Sequence, residues 1–359
     1  MAYDKVVDST ILDGYFSDIA DAIRDKDGSQ NTYTPAQMPQ AIEDIPSGGG
    51  SIIDDLVAGT ASGNLTISGL EHLNALLIFD RTYNTNVTSL TFPDLLTSDT
   101  TNGGGLTGGS QNQYDSNLQT INLPKCTTIN LPYYRNDRSK GKFGKLQQFN
   151  APNLQTLYGA FNMCSSLTSI NLPELLTVPS GYTFYYCSAL QTVNLPKLTS
   201  LAANMFTGCS SLQTITLDNA SSVGGSNVFQ DCSNLQSIRL PKIQFAAYLS
   251  NMFSGCTNIL EIDLGNSNLA GGAFGNTTFV GCASLKALVL RYGTVNSLNS
   301  TASFNNSSIA AGTGYIYVPR SLVATYESAT NWSTYAGQFK AIEDYTSDGT
   351  IDGPFVLPS

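Results

Sequence analysis

The apolar residues of this chain recur in one pattern, Phe-x-x-Cys-x-x-Leu, with polar residues between them. Successive cysteines of the pattern are 23, 22, 23, 24 and 26 residues apart. Each copy continues into an alternating segment, as in Leu167-x-x-Ile170-x-Leu172, with apolar inward positions and polar outward positions. A period of this length predicts a repeat solenoid in which each copy contributes one short strand. The six copies begin at Phe161, Phe184, Phe206, Phe229, Phe253 and Phe279.

Less regular copies extend the predicted solenoid in both directions. Upstream segments follow the strand spacing from Val87, Leu118 and Leu146, and a last copy begins at Phe304. The spacing Leu-x-x-Ile-x-Leu, repeated every 20 to 29 residues, is typical of leucine-rich repeats. We therefore expect a leucine-rich-repeat-like, β-rich solenoid over residues 52–312.

The first 45 residues carry a helical pattern instead. Apolar residues three or four positions apart form one stripe of an amphipathic helix, and Thr34-Pro35 predicts the start of a second helix. Residues 46–51, PSGGGS, predict a Gly/Ser linker. So short a segment cannot bury this stripe alone, so we expect it to attach to another copy, to the first coil or to another protein. The predicted attachment residues are Ile11, Leu12, Tyr15, Phe16, Ile19, Ile23, Met38 and Ile42.

The carboxy-terminal part combines strand and helix patterns. Residues 313–343 contain a strand that ends at Pro319, a helical pattern around Tyr326 and large apolar residues from Trp332 onward. A solenoid needs its open hydrophobic end covered, so we expect an α/β cap here. Residues 344–359 are expected to form an exposed tail.

Charge and composition narrow the possible partners. The formal net charge is −10 and only 12% of the residues are charged, whereas phosphate backbones require a basic face. No window of 18 apolar residues could span a bilayer, and the amino terminus lacks a secretory pattern. We therefore expect no nucleic-acid or membrane partner, and folding in the cytosol, where the seven cysteines stay reduced.

The residue types that carry out catalysis or bind metals are poorly placed. The cysteine column is expected to pack as buried hydrophobes, since no closely spaced ligand pair such as Cys-x-x-Cys occurs. The single histidine, His72, has no nucleophile motif around it. Glu261 and Asp263 alternate on one strand and are expected to lie on its solvated face. We therefore predict a non-enzymatic protein with no catalytic residues, no metal and no cofactor.

Two kinds of surface remain as candidate contacts. The outward strand columns of Gln, Thr, Ser and Asn predict a neutral face, either as ladders that stabilise the stack or as a platform for glycans or a partner's edge. Exposed tyrosines and a basic insertion that breaks the repeat are more distinctive, although a solvated loop explains the insertion equally well. The candidate surface-binding residues are Tyr133, Tyr134, Arg135, Arg138, Lys140, Lys142, Lys145, Tyr182, Tyr185 and Tyr186.

Three segments resemble known families. The repeats from Phe161 to Leu290, with coils of the form Phe-x-x-Cys-x-x-Leu-x-x-Ile-x-Leu-Pro, resemble the BspA-like (Treponema-type) leucine-rich repeats of bacterial surface proteins and of phages that infect such bacteria. The segment IYVPRSLVATYESATNW is similar to the carboxy-terminal end of those arrays. The amino-terminal IADAIRDKDGSQNTYTPAQMPQAIEDIPSGG resembles a module at the start of phage and prophage virion proteins of gut bacteria.

These resemblances imply a phage virion accessory protein, which would be a tail fibre, a spike or a capsid decoration subunit. Its expected partners are other virion proteins through the amino terminus, further copies of itself in a homo-oligomer, and a bacterial surface glycan or protein. The expected location is the virion, assembled in the host cytoplasm. The alternative is a BspA-like adhesin or interaction protein on the bacterial cell surface, which the missing signal peptide and wall anchor make the weaker interpretation.

Overall fold

The fold is known from a computed structural model. It describes residues 52–73, 76–79, 84–98, 105–107, 116–131, 143–159, 161–244, 250–266 and 274–358. The predicted attachment residues and the Gly/Ser linker at 46–51 lie outside these ranges.

Short strands dominate the described residues. Helix α1 spans Ile52–Ala58 and α2 spans Val323–Ser328, with 3-10 helices at Thr301–Phe304, Arg320–Leu322, Trp332–Gln338 and Ile342–Tyr345. The strands are β1 (Ser62–Thr66), β2 (His72–Leu73), β3 (Leu76–Ile78), β4 (Asn86–Thr91), β5 (Thr97–Ser98), β6 (Gly105–Thr107), β7 (Thr120–Asn122), β8 (Thr128–Leu131), β9 (Gln148–Asn150), β10 (Thr156–Gly159), β11 (Ser169–Asn171), β12 (Thr192–Asn194), β13 (Ser200–Leu201), β14 (Thr214–Thr216), β15 (Ser222–Val223), β16 (Ser237–Arg239), β17 (Glu261–Asp263), β18 (Ala287–Val289), β19 (Tyr315–Val318) and β20 (Phe339–Ala341).

The strands stack as a parallel solenoid, as the sequence predicted. The main side of the solenoid, called the strand face below, carries the sheets β1-β4-β7-β9, β11-β12-β14 and β16-β17-β18-β19-β20. The register is kept from coil to coil, since Ile170 pairs with Val193 and Val193 with Ile215. A second side carries the sheets β10-β8-β5-β2 and β13-β15, and β3 pairs with β6.

The repeated phenylalanines form a continuous stack through the core. Neighbouring rings from Phe161 to Phe304 lie 4.9 to 6.0 Å apart between centroids and within 9° of parallel. The cysteines lie beside this stack, buried and free of disulfides. The Cys187 thiol donates to the Phe161 carbonyl oxygen at 2.9 Å, and the four later thiols repeat this bond one coil on, at 3.0 to 3.2 Å. The packing role expected of the cysteines is therefore confirmed.

The residue before each core cysteine has a left-handed backbone, which turns the chain toward the next strand. Three coils use glycine at this position, which adopts a positive φ without steric cost. The φ values are 59° at Met163, 54° at Tyr186, 74° at Gly208, 58° at Asp231, 76° at Gly255 and 76° at Gly281.

Aromatic residues of the cap cover the carboxy-terminal end of the phenylalanine stack. The buried Trp332 ring lies 5.9 Å from Phe304 and 6.0 Å from Phe274. Its Nε1 donates to the Asn296 carbonyl oxygen at 2.6 Å, and the Tyr326 hydroxyl accepts from the Asn296 amide at 2.9 Å. These bonds satisfy the polar tips of rings whose bodies are buried.

The closing residues are folded back, so the prediction of an exposed tail was wrong. Thr346 and Phe355 form an antiparallel bridge, and the Val356 amide donates to the Tyr345 carbonyl oxygen at 2.8 Å. This closing hairpin packs on the outward residues of β18 and β19, where Ala287, Val289 and Tyr317 are buried. The outward positions of these two strands are apolar, unlike those of the earlier coils, and this difference explains the contact.

Asp263 also differs from its prediction, because it is buried rather than solvated. Its side chain is 2% exposed and pairs with Arg291, itself 3% exposed, at 2.8 Å. Arg291 also donates to the carbonyl oxygens of Ile351 and Gly353 in the closing hairpin. Burial is the main cause that raises the pKa of the neighbouring Glu261, and the negative charge of Asp263 adds to it.

Candidate functional site

Three tyrosines of one coil form an aromatic cluster at the surface. The Tyr182 and Tyr185 rings lie 5.2 Å apart and the Tyr185 and Tyr186 rings 4.5 Å apart, both edge to face. Tyr186 is 43% exposed and is one of the few large hydrophobic residues on the described surface. The segment GYTFYYC therefore presents several aromatic rings at one place.

The repeat holds two of these tyrosines in an unfavourable backbone conformation. Tyr182 has a φ of 63° and Tyr186 a φ of 54°, a region that costs a residue with a Cβ roughly 1–2 kcal/mol. Other coils fill the same positions with residues that tolerate it. Asn204, Asn227 and Asn251 correspond to Tyr182, and Gly208, Gly255 and Gly281 correspond to Tyr186.

Backbone bonds to the next coil fix the cluster in place. The amides of Tyr182, Phe184 and Tyr186 donate to the carbonyl oxygens of Ala203, Met205 and Thr207 at 3.0, 2.8 and 2.7 Å. The Tyr186 ring lies over Gly208, where a Cβ would be only 2.9 Å from the ring. The glycine therefore leaves the space that the ring occupies.

A groove of about 450 Å³ is lined in part by the residues that precede the cluster in the sequence. Gly181, one of its lining residues, directly precedes Tyr182. Close backbone packing keeps the groove open, since a Cβ at Gly181 would lie 2.8 Å from the Ala203 carbonyl oxygen. The lining is uncharged and made of small residues from three successive coils: Thr177, Val178, Pro179, Gly181, Ser200, Ala202, Ala203 and Gly224.

An asparagine ladder ends at this coil. The Asn251 side-chain amide donates to Asn227 Oδ1, and the Asn227 amide donates to Asn204 Oδ1, each at 3.0 Å. Tyr182 occupies the next rung, where it offers no amide oxygen. Within the described residues, Asn204 Nδ2 is therefore left without an acceptor at the position next to the tyrosine cluster.

Of the other predicted surface-binding residues, only Lys145 belongs to the part of the chain that the structure describes. Lys145 lies on the surface and donates to Asn117 Oδ1 at 2.5 Å. The remainder of the basic insertion lies outside the described residues, namely Tyr133, Tyr134, Arg135, Arg138, Lys140 and Lys142. Sequence reasoning missed Asn204 and the groove. The signal for Asn204 was present, because asparagine stands two residues before phenylalanine in three coils and tyrosine replaces it in one.

The polar strand face consists partly of side-chain ladders. The Asn150 amide donates to Asn122 Oδ1 at 2.6 Å, and the Asn194 amide donates to Asn171 Oδ1 at 2.7 Å. These bonds join neighbouring coils and use the groups that a ligand would need. The ladder interpretation of this face therefore has direct support.

The coils that carry this cluster match a known repeat family. The model of the BspA type leucine-rich repeat region matches residues 180–311, in six copies. Residues 180–311 are thus similar to BspA-type leucine-rich repeats. Leucine-rich repeats form stacked surfaces for binding. In the described part of the chain, no three His, Cys, Asp or Glu side chains are grouped so as to hold a metal ion.

Solved structures that the chain matches include three bacterial proteins. One is a leucine-rich repeat protein from Bacteroides ovatus, with 21% identity, 63% of this chain and 61% of that chain covered, and a TM-score of 0.37. This chain thus spans about three fifths of its length. The T. pallidum leucine-rich repeat protein has 14% identity, 62% and 78% coverage and a TM-score of 0.28. A leucine-rich cell surface protein from Faecalibacterium prausnitzii has 14% identity, 72% and 82% coverage and a TM-score of 0.22.

A search of curated proteins gives no significant match. Among the helices that the structure describes, none is both long enough and apolar enough to cross a bilayer.

Proposed function

We propose that this protein is a non-enzymatic virion accessory subunit of a phage, whose amino-terminal residues 1–45 attach to the particle and whose solenoid binds the bacterial surface. The observation that carries the binding role is the surface cluster of three tyrosines, in which Tyr186 is exposed. Exposed aromatic residues supply much of the energy in protein contacts. The attachment role rests on the apolar stripe of the amino-terminal segment and its resemblance to virion modules.

The solenoid suits this role because it holds the cluster rigidly. Every coil bonds to its neighbours through backbone amides, and the phenylalanine stack runs without interruption beneath the tyrosines. A rigid site loses little conformational entropy on binding. Many copies on one particle, or a homo-oligomer, would multiply a weak contact into stable adhesion.

Deletion of residues 1–50 tests the attachment role. The compact unit Leu56–Ser359 retains its own contacts, so we expect the shortened protein to fold and to be absent from purified particles. Circular dichroism and the protein content of the particles are the measurements. Incorporation of the shortened protein at the full-length level would refute the attachment role.

A bacterial surface adhesin is the second candidate, and the match to BspA-type repeats favours it. The two candidates differ in location. An antibody against the solenoid should label particles released by lysis in the first case and intact producing cells in the second. Labelling of intact cells alone would replace the virion proposal with the adhesin.

A further inference from the structure

We propose that the tyrosine cluster, the adjoining groove and Asn204 form a binding site for a neutral saccharide. This inference deepens the proposed function. It rests on that function in one respect only, namely that the saccharide comes from the bacterial surface. Its physical basis is the combination of a surface tyrosine cluster with one exposed ring, an uncharged groove and an unused amide donor within three successive coils.

The first support is that Tyr186, with a φ of 54°, occupies a left-handed position that three other coils fill with glycine. Asparagine in place of Tyr182 would continue the ladder from Asn204, and glycine in place of Tyr186 would remove the backbone strain. Tyr186 is also 43% exposed, so its ring contributes little to the core. Residues that oppose the local preference of a fold are most often retained for function.

The second support is the chemistry of the surfaces that meet here. A sugar ring has an apolar face of C–H bonds that stacks on an aromatic ring, and hydroxyl groups around its edge that need donors and acceptors. Tyr186 supplies an exposed ring. Asn204 Nδ2 supplies an amide donor, and the Ser200 hydroxyl in the groove can both donate and accept. The Thr177 hydroxyl already donates to Thr156 Oγ1 at 3.2 Å and can still accept.

Size and charge select among possible ligands. A volume of about 450 Å³ suits a small ligand rather than an extended polymer surface. None of the lining residues is charged, and Asn204 and the tyrosines add no charge. The site therefore favours a neutral sugar over an anionic wall polymer.

The geometry is less suited to an extended peptide. A peptide strand usually binds by adding its backbone to a free sheet edge. Here the amides of Tyr182, Phe184 and Tyr186 already donate to the next coil. No free edge is offered along this segment, so a peptide would have only side-chain contacts.

The variants that test this site place, at the two left-handed tyrosine positions, residues that other coils have there. Tyr186→Gly should keep or raise the melting temperature, because glycine fills this left-handed position in three other coils, and Tyr182→Asn supplies the asparagine that the next three coils have at this position. Each should also weaken saccharide binding by at least about tenfold, since each removes a contact ring. Asn204→Asp keeps the oxygen that accepts from Asn227 and removes the donor, so a smaller loss is expected. The control is Gln191→Ala with Gln213→Ala, which alters the strand face of the same coils.

The measurement is binding of the full chain to an array of neutral oligosaccharides built from glucose, galactose, rhamnose, N-acetylglucosamine and N-acetylgalactosamine. We expect binding to at least one of them, unchanged in the strand-face control and lost in Tyr182→Asn and Tyr186→Gly. A silent array overturns the proposal. So does binding that survives both tyrosine variants, or binding to a peptide array that those variants abolish.

The test separates this inference from the proposed function. If the chain binds saccharide through the tyrosines but is absent from particles, only the virion role fails. If particles carry the protein and adhere to cells equally well with Tyr182→Asn and Tyr186→Gly, the saccharide site fails and the virion role stands.

Discussion

Burial raises the pKa of five cysteine thiols of this protein. Desolvation disfavours the thiolate and raises the pKa of Cys209, Cys232 and Cys256 well above the ordinary value. It raises the pKa of Cys282 to about 12 and that of Cys126 to about 11. A cysteine with a raised pKa is a weak nucleophile, which agrees with the packing role of the buried column.

The thiols predict a loss of stability at high pH. Each shifted thiol titrates near pH 9 when unfolded and well above it when folded, so its contribution is complete below pH 9 and decreases as pH rises toward the folded value. Above pH 9 the free energy of unfolding should fall by about 1.4 kcal/mol per pH unit for each shifted thiol. Urea unfolding at pH 7, 9 and 10 measures this, and Cys282→Ala should show a shallower fall.

Alkylation gives an independent check on the same thiols. Iodoacetamide at pH 8 should leave Cys164 through Cys282 unmodified in the native protein and modify them after unfolding in urea. Rapid native modification of these cysteines would contradict the buried column.

At the scale of elements, the Asp263–Arg291 pair holds the closing hairpin against the strand face. Replacing Arg291 by methionine leaves the Asp263 carboxylate buried without its closest charge partner and removes the donors to the hairpin carbonyls. We expect a loss of about 3 kcal/mol in the free energy of unfolding, measured by urea denaturation. The double variant Asp263→Asn with Arg291→Met should recover much of this loss.

Arg320 provides the matched control for that prediction. It pairs with Asp344 on the surface, where the two side chains are 59% and 56% exposed. Arg320→Met should cost less than about 1 kcal/mol, because exposed pairs contribute little. Equal losses for Arg291→Met and Arg320→Met would contradict a special role for the buried pair.

The sequence predicted the repeated elements well because their signal is local. Phe161, Cys164 and Leu167 recur at nearly constant spacing, and each copy folds in the same way on its neighbour. The hairpin was missed because its partners are far apart in sequence: Arg291 meets Ile351 and Gly353 across about sixty residues. Strand alternation alone also could not predict that Asp263 is buried, because the segment that covers it is distant in the sequence.

The candidate site was predicted only in part, because only its tyrosines are neighbours in the sequence. Tyr182, Tyr185 and Tyr186 lie within five residues, so their proximity follows from the chain itself. The groove depends instead on small residues of three coils, from Thr177 to Gly224, that become neighbours only when the coils stack. The free amide of Asn204 likewise emerges only when the ladder and its interruption by Tyr182 are seen together.

At the scale of the whole molecule, the repetition makes the solenoid modular. Each coil contacts mainly the coils before and after it, so stability is approximately a sum over coils and their interfaces. The backbone bonds follow this rule, since the donors of one coil pair with acceptors of the next. Binding at the tyrosine cluster should therefore depend on the adjoining coils and little on distant ones.

Excision of one complete coil tests this modularity. Removal of residues 233–256 joins Cys232 to Thr257 and preserves the Phe-x-x-Cys spacing, so β14 can stack directly on β17. We expect a folded, cooperatively unfolding protein with a somewhat lower melting temperature and unchanged saccharide binding, because the groove and the cluster lie before the excised coil. Removal of residues 233–244 alone, about half a coil, should destroy the register and abolish the cooperative transition. If both deletions unfold the protein equally, the coils are not interchangeable units and stability depends on contacts that span the stack.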